Sequence, residues 1–541
     1  MEEILIMTGK QYQMSELKFK APGPEGSFVQ VNLMAEIRNA SSVVNVKGFY
    51  AGNGTYKIRF LPETAGTYNI KISGVVNQDI DFEVLPADDS HHGIVRADGT
   101  HLKYSDGTFF YSFGTTVYAL ANQNNKLAEE TMETLNASPF NKLRTCVFPK
   151  NYEYNKNEPE YFAFQRDNMS EYIQFISNSG EKIEVKPFNV HRPDFRFWDG
   201  FESKLQRIMD MGIQVDLILF HPYDRWGHSH MGQENNLVYI DYLIRRFAAY
   251  PGIWWSIANE YDLFTDWDTG MWHGIDEYIS VNDPYHHMVS NHNCFIPYDF
   301  GRSTITHVSL QSRAMSRVAE LQREFNKPVF YDECCYEGNL KETWGSISAK
   351  EMVNRFWKVT TTGGYCTHGE VLLDRNIKDR DNAVMWWSKG GKLHGSSPER
   401  IRFLREIIEE LPAPLDPFPV GINRMLAMPG EEINMIMEVV PEELRHTMKL
   451  FMNMSGKELL YHIIPEMDYA GHIGEEVFLY YYAENCCSYV LLDLPEGKTF
   501  TVEVIDAWNM VRETVTTDAE AGAEIILPGH EYIAVLAKAN T

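Results

Sequence analysis

Two glutamates, each following an apolar run, are the residues of this chain best suited to chemistry. Residues 253–258 lead into Asn259 and Glu260, and residues 328–331 lie just before Glu333. A short apolar run bounded by polar residues predicts a buried strand. Carboxylates at the C-terminal ends of parallel strands lie where barrel enzymes carry their catalytic groups. Two such carboxylates on one sheet are the smallest set of catalytic groups that cleaves a glycosidic bond.

The two glutamates are more informative together than either is alone. A single glutamate after a strand is usually a helix cap or an ion-pair partner of arginine. Here a pair occurs, and Asn259 precedes one member, which favours catalysis by the logic of paired titratable groups. Glu260 and Glu333 are 73 positions apart, enough for three further strand–helix units. We therefore expect them to face each other across the mouth of a barrel.

The elements that would position this pair alternate between strand and helix from about residue 93 to 411. Helix-like stretches occur at 201–211 and 237–250, and residues 399–411 place their apolar side chains on one helical face. Eight strands alternating with helices predict a closed parallel barrel. The stretch 151–199 is too long for a simple connection and predicts an elaborated loop over the barrel mouth. The predicted strands are 109–115, 142–148, 214–221, 252–260, 287–292, 305–310, 328–333 and 364–372.

Both ends of the chain have the period-two alternation of half-buried antiparallel strands. At the N-terminal end it flanks a turn at 62–66, and residues 86–93 then read as a linker. The predicted fold class is therefore multidomain α/β plus all-β, a central (β/α)8 TIM barrel flanked by two β-sandwich domains. The predicted domains are an immunoglobulin-like sandwich at 1–90, the catalytic barrel at 91–412 and a C-terminal sandwich at 413–541.

Composition excludes several classes of partner. The 541 residues carry a formal net charge of −26. This charge repels phosphate backbones and anionic membranes, so we predict neither a nucleic acid nor a membrane partner. The same charge disfavours a polyanionic substrate unless the cleft locally reverses the sign. No basic segment followed by an apolar stretch marks a signal peptide, and no window approaches the roughly 18 apolar residues of a membrane span.

The cysteines point to a reducing compartment. The seven cysteines form no CxxC pair with metal-type spacing, so free thiols in the cytoplasm fit best. We therefore predict a cytoplasmic protein. The oligomeric state stays open, and a homo-oligomer is compatible with the sequence.

The motifs around the two glutamates resemble clan A of the glycoside hydrolases, a group of retaining (β/α)8-barrel glycosidases. The resemblance rests on Asn259-Glu260 closing strand 4 and Glu333 closing strand 7. It implies that Glu260 is the general acid/base, that Glu333 is the nucleophile and that Asn259 holds the sugar 2-hydroxyl. Arg144 resembles the strand-2 arginine that supports the charge of the nucleophile. His221 matches a position where the clan often has a histidine lining the sugar subsite, as does His307 near strand 6.

A second resemblance extends beyond the catalytic motifs. Residues 107–118, ending at Tyr118, resemble the first strand of the apiosidase-like branch of the clan, in which a small N-terminal sandwich and a C-terminal one flank the barrel. Two departures leave the sugar open. Residues 367–370 stand where many members have a strand-8 tryptophan, and residues 306–311 lack the tyrosine that commonly orients the nucleophile.

Further side chains near the predicted mouth are candidates for sugar binding. A zinc site built on His228-Ser229-His230 is the competing interpretation, but that loop lacks a matching HExxH helix or cysteine cluster. We favour hydrogen bonding to sugar hydroxyls and predict neither metal nor cofactor. The complete set of predicted substrate-binding residues is Asn259, Arg144, His221, His292, His307, His368, Glu370, Tyr118, Trp226 and Trp387.

The chemistry of a retaining glycosidase requires two carboxyls with unequal pKa values. Arg144 is expected to keep Glu333 ionised, and burial by Trp254 or Trp226 to keep Glu260 protonated near neutral pH. A retaining enzyme should hold these carboxyls about 5–5.5 Å apart. The predicted function is a retaining exo-acting β-glycosidase that hydrolyses oligosaccharides or glycosides. An endo-acting polysaccharide hydrolase and a non-catalytic carbohydrate-binding protein are the alternatives.

Overall fold

The computed structural model describes residues 7–419, 435, 437–454 and 469–540. The chain divides into two compact units. The first comprises residues 1–311, 325–347 and 367–395, and the second comprises residues 312–324, 348–366 and 396–541. In the described residues, no helix is long and apolar enough to cross a membrane. All seven cysteines are free thiols in the structure, and the cytoplasmic location stays a prediction.

Eight strands form one barrel-like sheet, and the predicted (β/α)8 fold is confirmed. Each strand overlaps a predicted one, because a run of buried apolar residues between polar segments is a local property of the sequence. Along the sheet the order is β5-β4-β3-β2-β1-β8-β7-β6, which is that of a barrel interrupted only between β5 and β6. The strands are β1 (Phe113–Thr116), β2 (Lys142–Cys146), β3 (Gln214–Phe220), β4 (Ile253–Ala258), β5 (Val289–Ser290), β6 (Val308–Gln311), β7 (Val329–Glu333) and β8 (Tyr365–His368).

Hydrogen bonds span the interruption between β5 and β6. The Thr306 N–H donates to Val289 O at 2.9 Å, and the Thr306 hydroxyl oxygen accepts from Val289 N–H at 2.8 Å. Ser290 Oγ donates to His307 O at 2.7 Å. The barrel is therefore nearly closed, although residues 291–307 form a loop in place of a helix.

A buried ion-pair network fills the barrel interior. Lys142 Nζ lies 2.6 Å from Asp332 Oδ1 and 2.9 Å from Asp216 Oδ2. Ser309 Oγ donates to Asp332 Oδ2 at 2.6 Å. Charges removed from water must be paired and hydrogen-bonded, and this network leaves Asp332 fully engaged inside the barrel rather than directed at a ligand.

Helices follow most barrel strands, and several begin at side-chain caps. Asn124 Oδ1 accepts from Leu127 N–H, and Asp268 Oδ1 accepts from Met271 N–H, as expected of N-cap residues. The predicted helical stretches 201–211, 237–250 and 399–411 all fall on helices. The helices are α1 (Asn125–Ala137), α2 (Phe195–Asp210), α3 (Gln233–Phe247), α4 (Thr269–Asn282), α5 (Val318–Phe325), α6 (Ala349–Thr361), α7 (Trp386–Lys389), α8 (Ser397–Glu409) and α9 (Glu442–Met452).

The long connection between β2 and α2 is built from two antiparallel hairpins. One pairs Phe164–Arg166 with Phe188–Pro193, and the other pairs Ile173–Ile176 with Lys182–Val185. They pack on the loop after β3, where the His228 ring is stacked between Phe148 and Phe188 at centroid distances of 4.1 and 4.0 Å. Aromatic packing therefore explains His228-Ser229-His230 better than metal ligation does.

The N-terminal region of the first unit contains two sheets. Arg59 attaches them to the outer helices of the barrel: it pairs with Glu16 and Glu202 and donates to Arg246 O at 2.7 Å. Lys47 Nζ also lies 2.8 Å from Asp241 Oδ1. The five-stranded sheet is Met7–Lys10, Gln78–Leu85, Gly66–Gly74, Leu33–Arg38 and Val43–Lys47 in spatial order, and the three-stranded sheet is Ser15–Lys20, Thr55–Phe60 and Phe49–Tyr50.

The second unit also contains two sheets with a shared apolar core. Phe478, Phe500 and Val535 are among the buried residues that form it. The six-stranded sheet is Asp416–Pro417, Tyr469–Ile473, Val477–Tyr481, Ile533–Ala539, Phe500–Asp506 and Val511–Ala519 in spatial order, and the second sheet pairs Tyr489–Leu491 with Glu524–Ile526.

Candidate active site

Glu260 and Glu333 lie at the C-terminal ends of their barrel strands. Glu333 is the last residue of β7, and Glu260 follows β4 by two residues. Both are nearly buried, with 6% of Glu260 and 4% of Glu333 exposed. Glu260 has a φ of 57°, in the left-handed region. A non-glycine residue in that region costs about 1 kcal/mol or more and is held there by its surroundings, a feature that concentrates at functional sites.

Two tyrosines donate to the Glu333 carboxylate. Tyr118 donates to Oε1, and Tyr336 donates to Oε2 at 2.5 Å. His292 Nε2 is 3.5 Å and Arg144 Nη1 is 4.0 Å from Oε1. Burial raises the pKa of Glu333, but the neighbouring His292, followed by the charges of Lys150 and Arg144, outweighs it and brings the pKa below its usual value. The carboxylate is therefore held ionised.

Glu260 has the opposite environment. Tyr223 donates to its Oε2. Burial, and then the negative charge of Glu333, raise the pKa of Glu260, whereas Lys150 opposes both. The pKa of one carboxyl is thus lowered and that of the other raised, which is the division of roles that acid–base chemistry at a glycosidic oxygen requires.

Tyr118 connects the two strand ends. Its Oη donates to the Glu333 carboxylate and also lies 2.9 Å from Asn259 Oδ1. Its backbone is fixed past the end of β1, where its N–H donates to Trp387 O at 3.0 Å. Asn259 Nδ2 has no hydrogen-bond partner among the residues that the structure describes. That amide N–H group therefore has a hydrogen bond left to donate.

An aromatic wall lies beside the Glu333 carboxylate. The Trp387 ring packs against Tyr152, Tyr336 and Tyr118 at centroid distances of 5.0, 5.5 and 5.9 Å. Tyr336 approaches the strand-8 turn so closely that a Cβ on Gly369 would lie 2.1 Å from its ring. Any larger residue at Gly369 would therefore displace the tyrosine that holds Glu333.

Five of the predicted substrate-binding residues do not contact the two carboxylates. His221 Nε2 bonds to Phe148 O at 3.2 Å, and Glu370 accepts from the backbone N–H groups of His394 and Gly395. The other three are packed elsewhere: His307 against Phe330, His368 against Phe140, and Trp226 with its indole N–H donating to Glu158. The residues that the structure does gather around the pair are Asn259, Arg144, His292, Tyr118 and Trp387.

Three close neighbours of the pair were not predicted from the sequence, namely Tyr223, Tyr336 and Lys150. The Lys150 ammonium lies over the rings of Tyr118 and Tyr223, 3.6 and 4.4 Å from their centroids. Each of the three residues lies three or four positions after the last residue of a barrel strand. Their position just after a strand end could have predicted them as site residues, because the segments after the strands build the active site in this fold. Trp254, expected to bury Glu260, packs instead on Lys142 in the barrel interior.

In the part of the chain that the structure describes, one group of side chains has ligand atoms close enough to hold a metal ion. It consists of Glu337, His368 and Glu370, whose ligand atoms lie within 4.8 Å of one another. Burial, with the charge of Glu337 as a smaller contribution, raises the pKa of Glu370 to about 7. This group is separate from the Glu260–Glu333 pair.

Tyr336→Phe is expected to lower kcat/KM for aryl glycosides about 100-fold, because a hydrogen bond to a charged group contributes about 1.5–3 kcal/mol. Loss of that bond also raises the pKa of Glu333, so the acidic limb of the pH–rate profile should move to higher pH. Tyr152→Phe is the matched control, since Tyr152 packs on the same tryptophan but donates to Ser388. An unchanged acidic limb in Tyr336→Phe, or an equal loss in the control, would contradict this role.

Comparison with known protein families gives three matches along the chain. Residues 96–414 match the model of the apiosidase-like catalytic domain. Residues 8–74 and 466–538 match two domains of unknown function, DUF5060 and DUF5605. No curated protein sequence matches the chain.

Two of the solved structures similar to the chain come from Bacteroides vulgatus ATCC 8482. One, named as a candidate glycoside hydrolase, is 29% identical, aligns over 99% of this chain and 100% of its own, and has a TM-score of 0.82. Another, a glycoside hydrolase of family 5, is 14% identical over 83% of this chain and 94% of its own, with a TM-score of 0.57. The second similarity concerns the fold alone.

Proposed function

The chain belongs to the apiosidase-like family of glycoside hydrolases, and on that premise we propose that it is a retaining, exo-acting β-glycosidase. In this proposal Glu333 is the nucleophile and Glu260 is the general acid/base. The observation that carries it is the unequal environment of the two carboxyls: two tyrosines donate to Glu333, whose pKa is lowered, whereas burial and the charge of Glu333 raise the pKa of Glu260. A retaining glycosidase needs one carboxyl ionised and the other protonated.

The proposed reaction proceeds by double displacement. Glu333 attacks the anomeric carbon, the bond to the leaving oxygen breaks, and Glu260 gives its proton to that oxygen. A glycosyl ester on Glu333 results. Water then attacks the same carbon, Glu260 takes its proton, and Glu333 leaves as a carboxylate. Tyr118 and Tyr336 stabilise the carboxylate before the first step and after the second.

Positioning residues divide between the two carboxyls. Tyr223 donates to Glu260 and orients it, and the amide of Asn259 is the group proposed to bind the sugar 2-hydroxyl. Arg144 contributes positive charge near Glu333 without a close contact, at 4.0 Å. Hydrogen bonds from the protein to the sugar that strengthen as charge develops at the anomeric carbon lower the energy of the transition state.

The exo mode is supported by the loop after β2. Tyr152, at the start of that loop, packs on Trp387 with 5.0 Å between the ring centroids, and so forms one side of the proposed pocket next to Glu333. The endo mode is the second candidate. It is favoured by Phe295 and Ile296, which are 79% and 63% exposed and whose backbone N–H groups donate to Asp262, two residues after Glu260. Exposed apolar side chains beside the acid/base suit an extended leaving group.

The domain boundaries predicted at 90/91 and 412/413 also remain a proposal. The extents of the three family matches support them, since the matches cover 8–74, 96–414 and 466–538. The N-terminal sheets attach to the outer helices through Arg59 and Lys47. That attachment supports a packing role for them rather than direct sugar binding.

A panel of 4-nitrophenyl glycosides tests the proposal, with α- and β-pentofuranosides, pentopyranosides and hexopyranosides. We expect turnover of β-glycosides, and proton NMR of the first-formed product should show the β-anomer before mutarotation. A first-formed α-anomer from a β-glycoside would rule out retention. An enzyme-free sample of the released sugar gives the mutarotation rate that sets the observation window.

A further inference from the structure

Lys150 differs from the other deeply buried cations of the first unit. Only 3% of Lys150 is exposed, yet its ammonium has no carboxylate within 4.0 Å and donates no hydrogen bond to any residue that the structure describes. Among comparable cations of this unit, Lys142 pairs with Asp216 and Asp332, Arg144 with Asp216, Arg59 with Glu16 and Arg246 with Glu202, whereas Lys389 donates to Asp381 O. Burial of an ammonium without an acceptor costs several kcal/mol.

The surroundings of Lys150 are tyrosine rings. Its Nζ lies 3.6, 4.4 and 5.6 Å from the ring centroids of Tyr118, Tyr223 and Tyr152. Ring faces attract a cation only weakly and do not replace a hydrogen-bond acceptor. The N–H groups of Lys150 therefore have no acceptor among the residues that the structure describes.

The location ties Lys150 to the sugar that is cleaved. Tyr118 holds Glu333, and Tyr223 holds Glu260, so the ammonium lies between the two tyrosines that orient the reacting carboxyls. A group bound there belongs to the sugar whose anomeric carbon is attacked. Burial lowers the pKa of Lys150, and both catalytic carboxyls oppose that shift. An anion bound from the substrate would act in the same sense as those carboxyls.

We propose that the sugar bound at the cleavage site carries an anionic group, the carboxylate of a uronic acid or a sulfate ester, and that Lys150 binds it. The inference rests on the proposed glycosidase function and specifies its substrate class. A neutral hydroxyl could accept one hydrogen bond but would bring no negative charge to pair with the ammonium. The overall charge of −26 disfavours polyanions, so a short glycoside with one acidic sugar fits the site best.

Matched substrate pairs test the inference. The pairs are 4-nitrophenyl β-D-glucuronide with the β-D-glucoside, and the β-D-galacturonide and β-D-galactoside 6-sulfate with the β-D-galactoside. We expect an acidic member to exceed its neutral counterpart in kcat/KM by about 100-fold, the size of a charge-assisted hydrogen bond in a buried site. The arm that shows the preference distinguishes carboxylate from sulfate. Neutral glycosides turned over as well as all their acidic counterparts would overturn the inference.

The Lys150→Met variant assigns the preference to this residue. We expect its acidic-to-neutral ratio to fall to about 1, mainly through a higher KM for the acidic substrate, and Lys150→Gln to behave alike. Lys186→Met is the matched control, because the Lys186 ammonium also lies over a tyrosine ring, 4.2 Å from Tyr172, but donates to Ser170 O. Its ratio should equal that of the wild type. An unchanged ratio in Lys150→Met, with the variant folded by its thermal transition, would overturn the inference.

Product binding separates this inference from the proposed reaction. Calorimetric titration with D-glucuronate, D-galacturonate, galactose 6-sulfate, D-glucose and D-galactose requires no turnover. Lys150-dependent binding of an anionic sugar without hydrolysis of any glycoside would support the inference and overturn the proposed reaction. Hydrolysis of neutral glycosides only, without binding of any anionic sugar, would do the reverse.

Discussion

Glu333→Gln is expected to lower kcat for aryl β-glycosides on the order of 10⁵-fold, as loss of a covalent nucleophile does in other enzymes. The amide keeps the shape of the carboxyl, but it is neutral and does not attack the anomeric carbon. It also stays within reach of Tyr118 and Tyr336, which donate to Glu333 in the native protein. Folding should therefore be retained while turnover is lost. Steady-state kinetics with a 4-nitrophenyl substrate measure the effect.

Chemical rescue makes the assignment of the nucleophile specific. In Glu333→Gly, azide can enter the space of the carboxylate, attack the anomeric carbon and expel the aryl oxide, so a β-glycoside should give an α-glycosyl azide. Glu342→Gln is the matched control, because Glu342 lies on the loop after β7 and is exposed. It should keep wild-type turnover. Residual activity in Glu333→Gln above about a hundredth of the wild-type value would refute the nucleophile assignment.

Glu260→Gln is expected to produce a loss that depends on the leaving group. General acid catalysis contributes about 10²–10⁴-fold, and a leaving oxygen of high basicity needs the proton most. Unactivated oligosaccharides should therefore lose about 10³-fold or more in kcat/KM, whereas nitrophenyl glycosides should lose much less. A series of aryl glycosides with leaving groups of graded pKa measures the dependence. An equal loss across the series would show that Glu260 is not the acid.

The pH–rate profile supplies the second readout for Glu260. Glu333 acts as a carboxylate, and its lowered pKa sets an acidic limb at low pH; Glu260 acts when protonated, and its raised pKa sets the basic limb. The wild-type profile in kcat/KM should be bell-shaped, with apparent values that belong to the coupled pair. Glu260→Gln should lose the basic limb and keep the acidic one. Azide should restore its second step and give a β-glycosyl azide.

Strand positions were predictable because burial is recorded locally in the sequence. The apolar runs before Glu260 and Glu333 occur in short windows, and both runs proved to be barrel strands ending at the predicted edge of the sheet. Helix starts were local as well, as the side-chain cap at Asn124 illustrates. Pattern and period fix which residues are buried in a strand, and eight such runs fix a parallel barrel.

Side-chain directions were harder to predict than strand ends. His368 is the last residue of β8, yet its ring stacks on Phe140 and its Nδ1 bonds to Thr115. His307, next to β6, packs on Phe330 in the barrel interior. Successive residues of a strand point to opposite sides, and one position of error in the strand register changes which side a histidine faces.

The sequence alone thus determined the barrel, the two glutamates at the ends of its strands and the neighbouring Asn259. Only the tertiary structure decided the unequal environments of the two carboxyls. Tyr118, Tyr223, Tyr336, His292 and Lys150 come from segments after five different strands. Their contacts depend on loop packing, and a pKa depends on the sum of burial and charge around a group. Neither is recorded in a local window of sequence, because both arise when distant segments meet at one edge of the barrel.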